Sequence, residues 1–406
     1  MSPKSGNRLS GKDRTPPKMT RMLNLIAVVV FASALFMRLT DPVIPQIAAG
    51  LHVEPATAAL LSTAFTLPYA LVQPLLGALA DMFSKSRLML LCLFVMAAAT
   101  LVCGLAISFK MLFAARVVAG LAAGGVIPIS FALVGDKIPV AERQVAMGRL
   151  LFAIMMGNLL GSACSGVIAD FAGWRGVFFA IGGFGALVVV ATFPGFHGMG
   201  QASGRLDFST FVPNYRAIFG NPLAKICFGA VFLEAVFMYG CFPYIATMLH
   251  EAGETSAAVA GLVIAGFGIG GALYGVTIAR VLPVLGETRM MRIGGSIMGL
   301  CLVGIAARLF WPLEFVNFAV LGFGFYMLHG VIQIYASELT PSARGSAMAL
   351  HSFFFFLGQA VGPVVYGAGL NTIGLSPVLL FGAVVLVAVG LTCAQWLRRP
   401  QEFATA

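Results

Sequence analysis

The sequence predicts an all-α polytopic membrane protein whose twelve transmembrane helices form two pseudo-symmetric six-helix bundles, and three observations predict it. The 406 residues are 59% hydrophobic and only 10% charged, with a mean hydropathy of +0.96, whereas a soluble domain carries about 25% charged residues. Long apolar runs fill the chain from about Met22 to Leu397, and each can cross roughly 30 Å of hydrocarbon at about 1.5 Å per residue. A transmembrane β-barrel would show shorter, alternating segments. The third observation is a repeat: the last six runs echo the first six at an offset of about 201 residues.

The echo is clearest at one pair of turns. Pro139, Arg143, Ala146, Met147, Gly157, Gly161, Gly166 and Gly173 are answered by Pro341, Arg344, Ala347, Met348, Gly358, Gly362, Gly367 and Gly374. Two related halves are what a rocking carrier needs, since each half can move as a rigid body around a substrate held near mid-membrane. A receptor or an anchor has no such need.

In chain order, residues 1–21 are basic, polar and rich in Ser, Pro and Gly, and disorder is expected there. The N-terminal bundle, 22–194, holds α1 (22–47), α2 (57–80), α3 (87–108), α4 (111–135), α5 (144–170) and α6 (174–194). Residues 195–222 mix Gly, Pro, Asn and charge and form the linker, with a short surface helix around 208–219. The C-terminal bundle, 223–397, holds α7 (223–249), α8 (257–281), α9 (289–310), α10 (314–338), α11 (344–369) and α12 (375–397), and 398–406 is a tail. Glu54 with Thr57, and Glu254 with Thr255 and Ser256, supply cap residues before α2 and α8. Pro42 and Pro45 in α1 and Pro363 in α11 remove intrahelical hydrogen bonds, so both helices are expected to bend or partly unwind. Glycines four residues apart, at Gly157 and Gly161 and at Gly358 and Gly362, let helix backbones meet closely.

The net charge of +10 does not point to nucleic acid, because the cations follow topology. They gather before α1, at the 2/3, 4/5, 8/9 and 10/11 turns, in the linker and at the tail, and only Lys110, Arg175 and Arg308 fall on the other side. The positive-inside rule then places both termini and the linker in the cytoplasm. The segment 32–34 (ASA) imitates a signal-peptidase site, but cleavage would leave eleven helices and break the pairing of halves, so α1 is read as retained. The seven cysteines stand singly in apolar runs without metal or redox spacing. The glycines at 266–271 imitate a nucleotide loop, yet they lie within a membrane run and lack the preceding strand and the P-loop lysine. No cofactor is expected, and an ion gradient must supply the energy.

Ionisable residues inside the spans carry the chemistry. Glu234 lies about 11 residues, or roughly 17 Å, into α7, near the membrane midplane. An ionised acid there costs at least about 2.5–3.5 kcal/mol unless paired or protonated, which suits a proton site as well as a neutral structural acid. Arg38 and Asp41 share one face of α1 at i and i+3, and Arg116 enters the membrane on α4 at similar depth, so the three are expected to form a charge cluster. Tyr69, Gln73, Asn158, Tyr239, Tyr326, His329, Gln333, His351 and Gln359 are polar groups within apolar helices and are candidates to line a substrate cavity.

The turn GALADMFSKSR, residues 77–87, resembles the signature loop of the major facilitator superfamily. The resemblance covers nearly the whole chain and includes RVVAG at 116–120, GNLLGSACSG at 157–166 and GWR at 173–175. Within the superfamily these are most similar to the twelve-helix drug:proton antiporter branch, which has sugar-efflux-like members. Met82 and Ser84 depart from the loop, and Ser162 stands where the antiporter motif has proline. The resemblance implies a conformational latch of Gly77, Asp81, Lys85, Arg87, Asp136 and Arg143. In it Asp81 meets the N-terminus of α11 and Lys85 or Arg87 pairs with Asp136. It also implies that Arg116 serves proton coupling through an acid on a neighbouring helix, for which Asp41 is nearest.

The expected function is secondary active transport by alternating access, as proton-coupled efflux of a drug-like or sugar-like compound, by a monomer in a bacterial inner membrane. Proton-coupled uptake of a sugar or organic acid stays open because of Ser162. A membrane-embedded lipid enzyme or a non-transporting scaffold is remote: the five histidines show no paired metal spacing and the loops are short.

Overall fold

The computed structural model describes residues 17–75, 84–196 and 211–397. Among these, nine helices are long and apolar enough to cross a membrane. Two of the nine contain a chain reversal, at Gly173 (φ 68°, ψ 175°) and Gly286 (φ 68°, ψ 165°). Each is therefore two spans, and an interrupted α1 completes twelve.

The helices are α1 (Pro17–Leu35, resuming as Ile44–Leu51), α2 (Pro55–Val72, prolonged by a 3-10 turn to Leu75), α3 (Lys85–Gly104) and α4 (Phe109–Lys137). The run Val140–Phe196 gives α5 and α6 on either side of Gly173. A short helix, Phe211–Gly220, precedes α7 (Pro222–Tyr239, resuming as Phe242–Glu251). The run Ala257–Ala306 gives α8 and α9, followed by α10 (Trp311–Glu338), α11 (Arg344–Thr372) and α12 (Leu375–Trp396). One apolar core gathers around α1–α6 and a second around α7–α12. The halves meet along two seams, α2 with α11 and α5 with α8. The end bearing the 2/3, 4/5, 8/9 and 10/11 turns is called the basic end below, and the other the opposite end.

Several expectations change in detail. Helix begins at Pro17, inside the segment expected to be disordered, because 17–35 already contains the apolar residues that pack on the first core. α1 breaks at 36–43 as its prolines require, with a 3-10 turn at Asp41–Val43. α7 was expected to be continuous but also breaks, at Gly240 and Cys241. Pro243, in the first turn of its second part, stands 201 residues after Pro42. α11, by contrast, runs unbroken through Pro363, whose fixed φ suits a helix and whose carbonyl accepts a 2.6 Å bond from the Tyr244 hydroxyl. Ser256 caps α8 through a bond from the Val259 N–H, whereas Glu54 sits at the start of α2 without a side-chain cap bond.

The paired glycines serve the breaks. A Cβ on Gly161 would lie 2.5 Å from the carbonyl oxygen of Leu35, where α1 stops, and one on Gly157 would lie 2.6 Å from that of Phe31. In the second half a Cβ on Gly362 would lie 2.6 Å from the Cα of Gly240, where α7 stops, and Gly358 faces the carbonyl of Phe232. Each half thus seats a glycine-faced helix against an interrupted one, which puts unwound backbone at membrane depth only where protein covers it.

Candidate substrate and proton site

The two breaks position the site. Asp41, at the α1 break, is fully buried. Its Oδ1 accepts 2.9 Å from the Ser62 hydroxyl of α2, and its Oδ2 lies 3.4 Å from Arg38 Nη1. Arg38 Nη2 donates 2.7 Å to Gln359 Oε1 of α11, and the guanidinium lies 4.4 Å from the ring centroid of Tyr239 and 5.0 Å from that of Phe242, both at the α7 break. A desolvated charge is tolerated only when paired and hydrogen-bonded, and Arg38 has a carboxylate, an amide and two aromatic faces.

Deeper in the second half, Glu234 on α7 is fully buried, and its Oε2 lies 2.9 Å from His329 Nδ1 on α10. Oε1 is buried without a partner. The His329 ring sits 4.7 Å from Phe325, 4.8 Å from Phe355 and 5.1 Å from His351 of α11. His351 Nε2 is also buried and unpartnered. Tyr239 joins the two groups, with its ring 5.5 Å from each of Phe267, Phe325 and Phe355. Three titratable groups on α7, α10 and α11 therefore share an aromatic cluster that also meets the Arg38 guanidinium through Tyr239.

Other candidates scatter. Arg116 does not join Arg38 and Asp41 in an ion pair: it is fully buried, donates at 3.4 Å to the Phe36 carbonyl and lies 4.2 Å over Phe65. The expected three-member cluster thus stands as an Arg38–Asp41 ion pair with Arg116 close enough to act on Asp41 through its charge, while the hydrogen bond of Arg116 goes to the Phe36 carbonyl that the α1 break presents to α4. Gln73 is spent on the Gly124 carbonyl of α4 at 3.3 Å, while Tyr69 faces Phe356 across the seam at 4.0 Å. Tyr326 packs on Phe325 at 5.0 Å. Asn158 is half-buried with Oδ1 unpartnered, and Gln333 is exposed one turn beyond His329. Sequence reasoning missed Ser62, Phe242 and Phe355, which look like ordinary core residues until α2, the α7 break and α11 converge.

At the basic end, Lys85 Nζ pairs with Asp136 Oδ2 at 2.6 Å, Arg143 Nε donates 2.9 Å to the Ile138 carbonyl, and Arg87 is exposed. Gly77 and Asp81 lie outside the described residues. Among the described residues no group of three His, Cys, Asp or Glu side chains is arranged to hold a metal ion.

The model of the Major Facilitator Superfamily matches residues 26–254 and 227–405, together nearly the whole chain. The chain belongs to this superfamily. It is 24% identical over 394 residues to multidrug resistance protein 2 of Bacillus subtilis, covering 92% of this chain and 95% of that one. It is likewise 24% identical over 356 residues to the quinolone resistance protein NorA of Staphylococcus aureus, covering 86% and 90%. Among solved structures, the nucleoside transporter NupG aligns with a TM-score of 0.73 at 15% identity, over 93% of this chain and 100% of that one. A bacterial homolog of the human lysosomal transporter Spinster, inward-facing and occupied, aligns at 0.73 with 18% identity, over 94% and 98%. This superfamily member is a secondary transporter and not an enzyme.

Proposed function

We propose that the chain exports a small amphipathic organic compound in exchange for protons, and that Glu234 with His329 carries the proton. The observation that supports this best is the 2.9 Å contact between a fully buried carboxyl and an imidazole inside an aromatic cluster. Because an unpaired ionised acid in hydrocarbon is so costly, the carboxyl must hold a proton, share one with His329, or face a cation. A cationic or hydrogen-bond-donating substrate at the free Oε1 meets that need when the proton leaves, so proton and substrate exclude one another, which is the logic of exchange. Aromatic surroundings suit an amphipathic guest, in line with the drug resistance for which the relatives are named.

In this reading the basic end faces the cytoplasm by the positive-inside rule, no cofactor takes part, and bundles 22–194 and 223–397 of a monomer rock about the site. Ser162, in place of the antiporter proline, favours a second reading, uptake by symport. Proteoliposomes loaded with a pH-sensitive dye separate the two. With ethidium or a quinolone as probe, exchange moves protons against the probe, and symport moves them with it. Glu234→Gln should abolish proton movement in either case. Probe transport in Glu234→Gln with unchanged proton flux would overturn the assignment.

A further inference from the structure

The α5/α8 seam is closed at the opposite end. A Cβ on Gly261 of α8 would lie 2.5 Å from the Ser162 carbonyl oxygen of α5, and one on Gly166 would collide with the Ala257 carbonyl. Nearer the basic end the same helices offer room: at Gly148 and Gly275 an added Cβ would meet nothing within 4 Å.

Asp170, in the last turn of α5, caps the closed part. Its Oδ1 accepts 2.8 Å from the Ala257 N–H, and its Oδ2 accepts 3.0 Å from the Ala258 N–H and 2.7 Å from the Ser256 hydroxyl. These donors form the first turn of α8, where a helix leaves N–H groups unpaired and its dipole favours negative charge. A carboxylate of one half therefore satisfies the helix start of the other with three charge-assisted bonds. At the equivalent place on the α2/α11 seam, 201 residues on, stands the neutral, exposed Asn371. Beside the Asp170 contact lies a recess of about 520 Å³, lined from the first half by Pro42, Pro45 and Gln46 and from the second by Thr247, Ser256 and Ala257.

We infer that Asp170 is the gate residue of the opposite end. Its three bonds hold α5 to α8, and their loss lets the recess join the space between the halves. Asp170 touches no site group, so it positions α8 and does not bind cargo. A contact made in one state and absent from the other biases the equilibrium by its own free energy, so Asp170 sets how often this end opens. The inference rests on the alternating-access reading but not on proton coupling or on the substrate.

Spin labels at Ile107 and Ile373, which are 87% and 64% exposed in opposite-end turns of the two halves, report that opening by pulsed EPR on the full chain in lipid nanodiscs. Asp170 is exposed, so Asp170→Ala should raise the ratio of long to short distances about two- to fivefold. Asp170→Asn should give an intermediate shift and Ser256→Ala a smaller one. With any transported probe, Asp170→Ala should change kcat more than KM. A folded Asp170→Ala whose distances match the wild type, or which only melts earlier, overturns the gate. Should that variant not fold, an unchanged distribution in both Asp170→Asn and Ser256→Ala does the same. A wild type fixed at one distance in every condition would instead overturn alternating access itself.

Discussion

Arg38 of α1 and Gln359 of α11 are joined by a 2.7 Å hydrogen bond that crosses from one half to the other at the depth of the α1 and α7 breaks. The same guanidinium is bound within its own half by Asp41 and faces the rings of Tyr239 and Phe242 in the other. Movement of the halves must therefore release Arg38 from one set of partners.

Gln359→Ala removes the crossing bond. A bond to a charged group contributes about 1.5–3 kcal/mol, so the arrangement described here should lose most of that, seen as a lower melting temperature of the detergent-solubilised protein. Gln359→Glu sets a second carboxylate on the guanidinium and should slow transport by holding the halves together.

Arg116→Lys should behave as a severe substitution. The guanidinium carbon lies 4.2 Å from the Phe65 ring centroid while Nη1 donates to the Phe36 carbonyl, and an ammonium keeps the charge but not the planar fork of donors. Transport by Arg116→Lys should fall nearly as far as by Arg116→Ala in the vesicle assay.

Gly362→Val pushes a branched side chain into the backbone of Gly240, where α7 is interrupted. Overpacking of this kind costs about 1–3 kcal/mol, and Gly161→Val should match it at Leu35. Gly148→Ala, at a helical position with open space, is the control and should not lower the melting temperature, since alanine loses less backbone freedom than glycine in a helix.

Asp136→Asn breaks the 2.6 Å pair with Lys85. Asp136 is half exposed, and such surface pairs are worth about 0.2–1 kcal/mol. Thermal stability should hardly change, so any effect on transport rate would report the pair as part of a conformational latch.

The membrane fold was legible because apolar runs and the 201-residue echo are direct consequences of spanning a bilayer twice over with related halves. Glu234 was legible for a similar reason: an acid in the middle of a span has few bland explanations. Its partner was not, since His329 lies 95 residues away and no local spacing announces a contact between α7 and α10. The α7 break was hidden because Gly240, Cys241 and Pro243 interrupt no apolar run, although the echo of Pro42 in Pro243 was there to be read. Arg116 was grouped with Asp41 on depth and on the family resemblance, and the two do act on each other through charge, but depth does not fix which way a side chain turns around its helix, so the bond from Arg116 to the Phe36 carbonyl was not legible.

Gly173 and Gly374 hold the same left-handed backbone, with φ of 68° and 86°, at the turns between α5 and α6 and between α11 and α12. α5 passes to α6 through Gly173 alone and α11 to α12 through Ile373 and Gly374, so a tilt of α5 or α11 should carry its outer neighbour with it. Those neighbours present wide apolar faces, with Leu187, Val190 and Phe193 on α6 and Phe381, Val384 and Leu391 on α12 at least half exposed. Bilayer thickness should therefore load any such tilt, because hydrophobic mismatch resists it, and reconstitution in thicker or thinner lipid is expected to change the rate of transport.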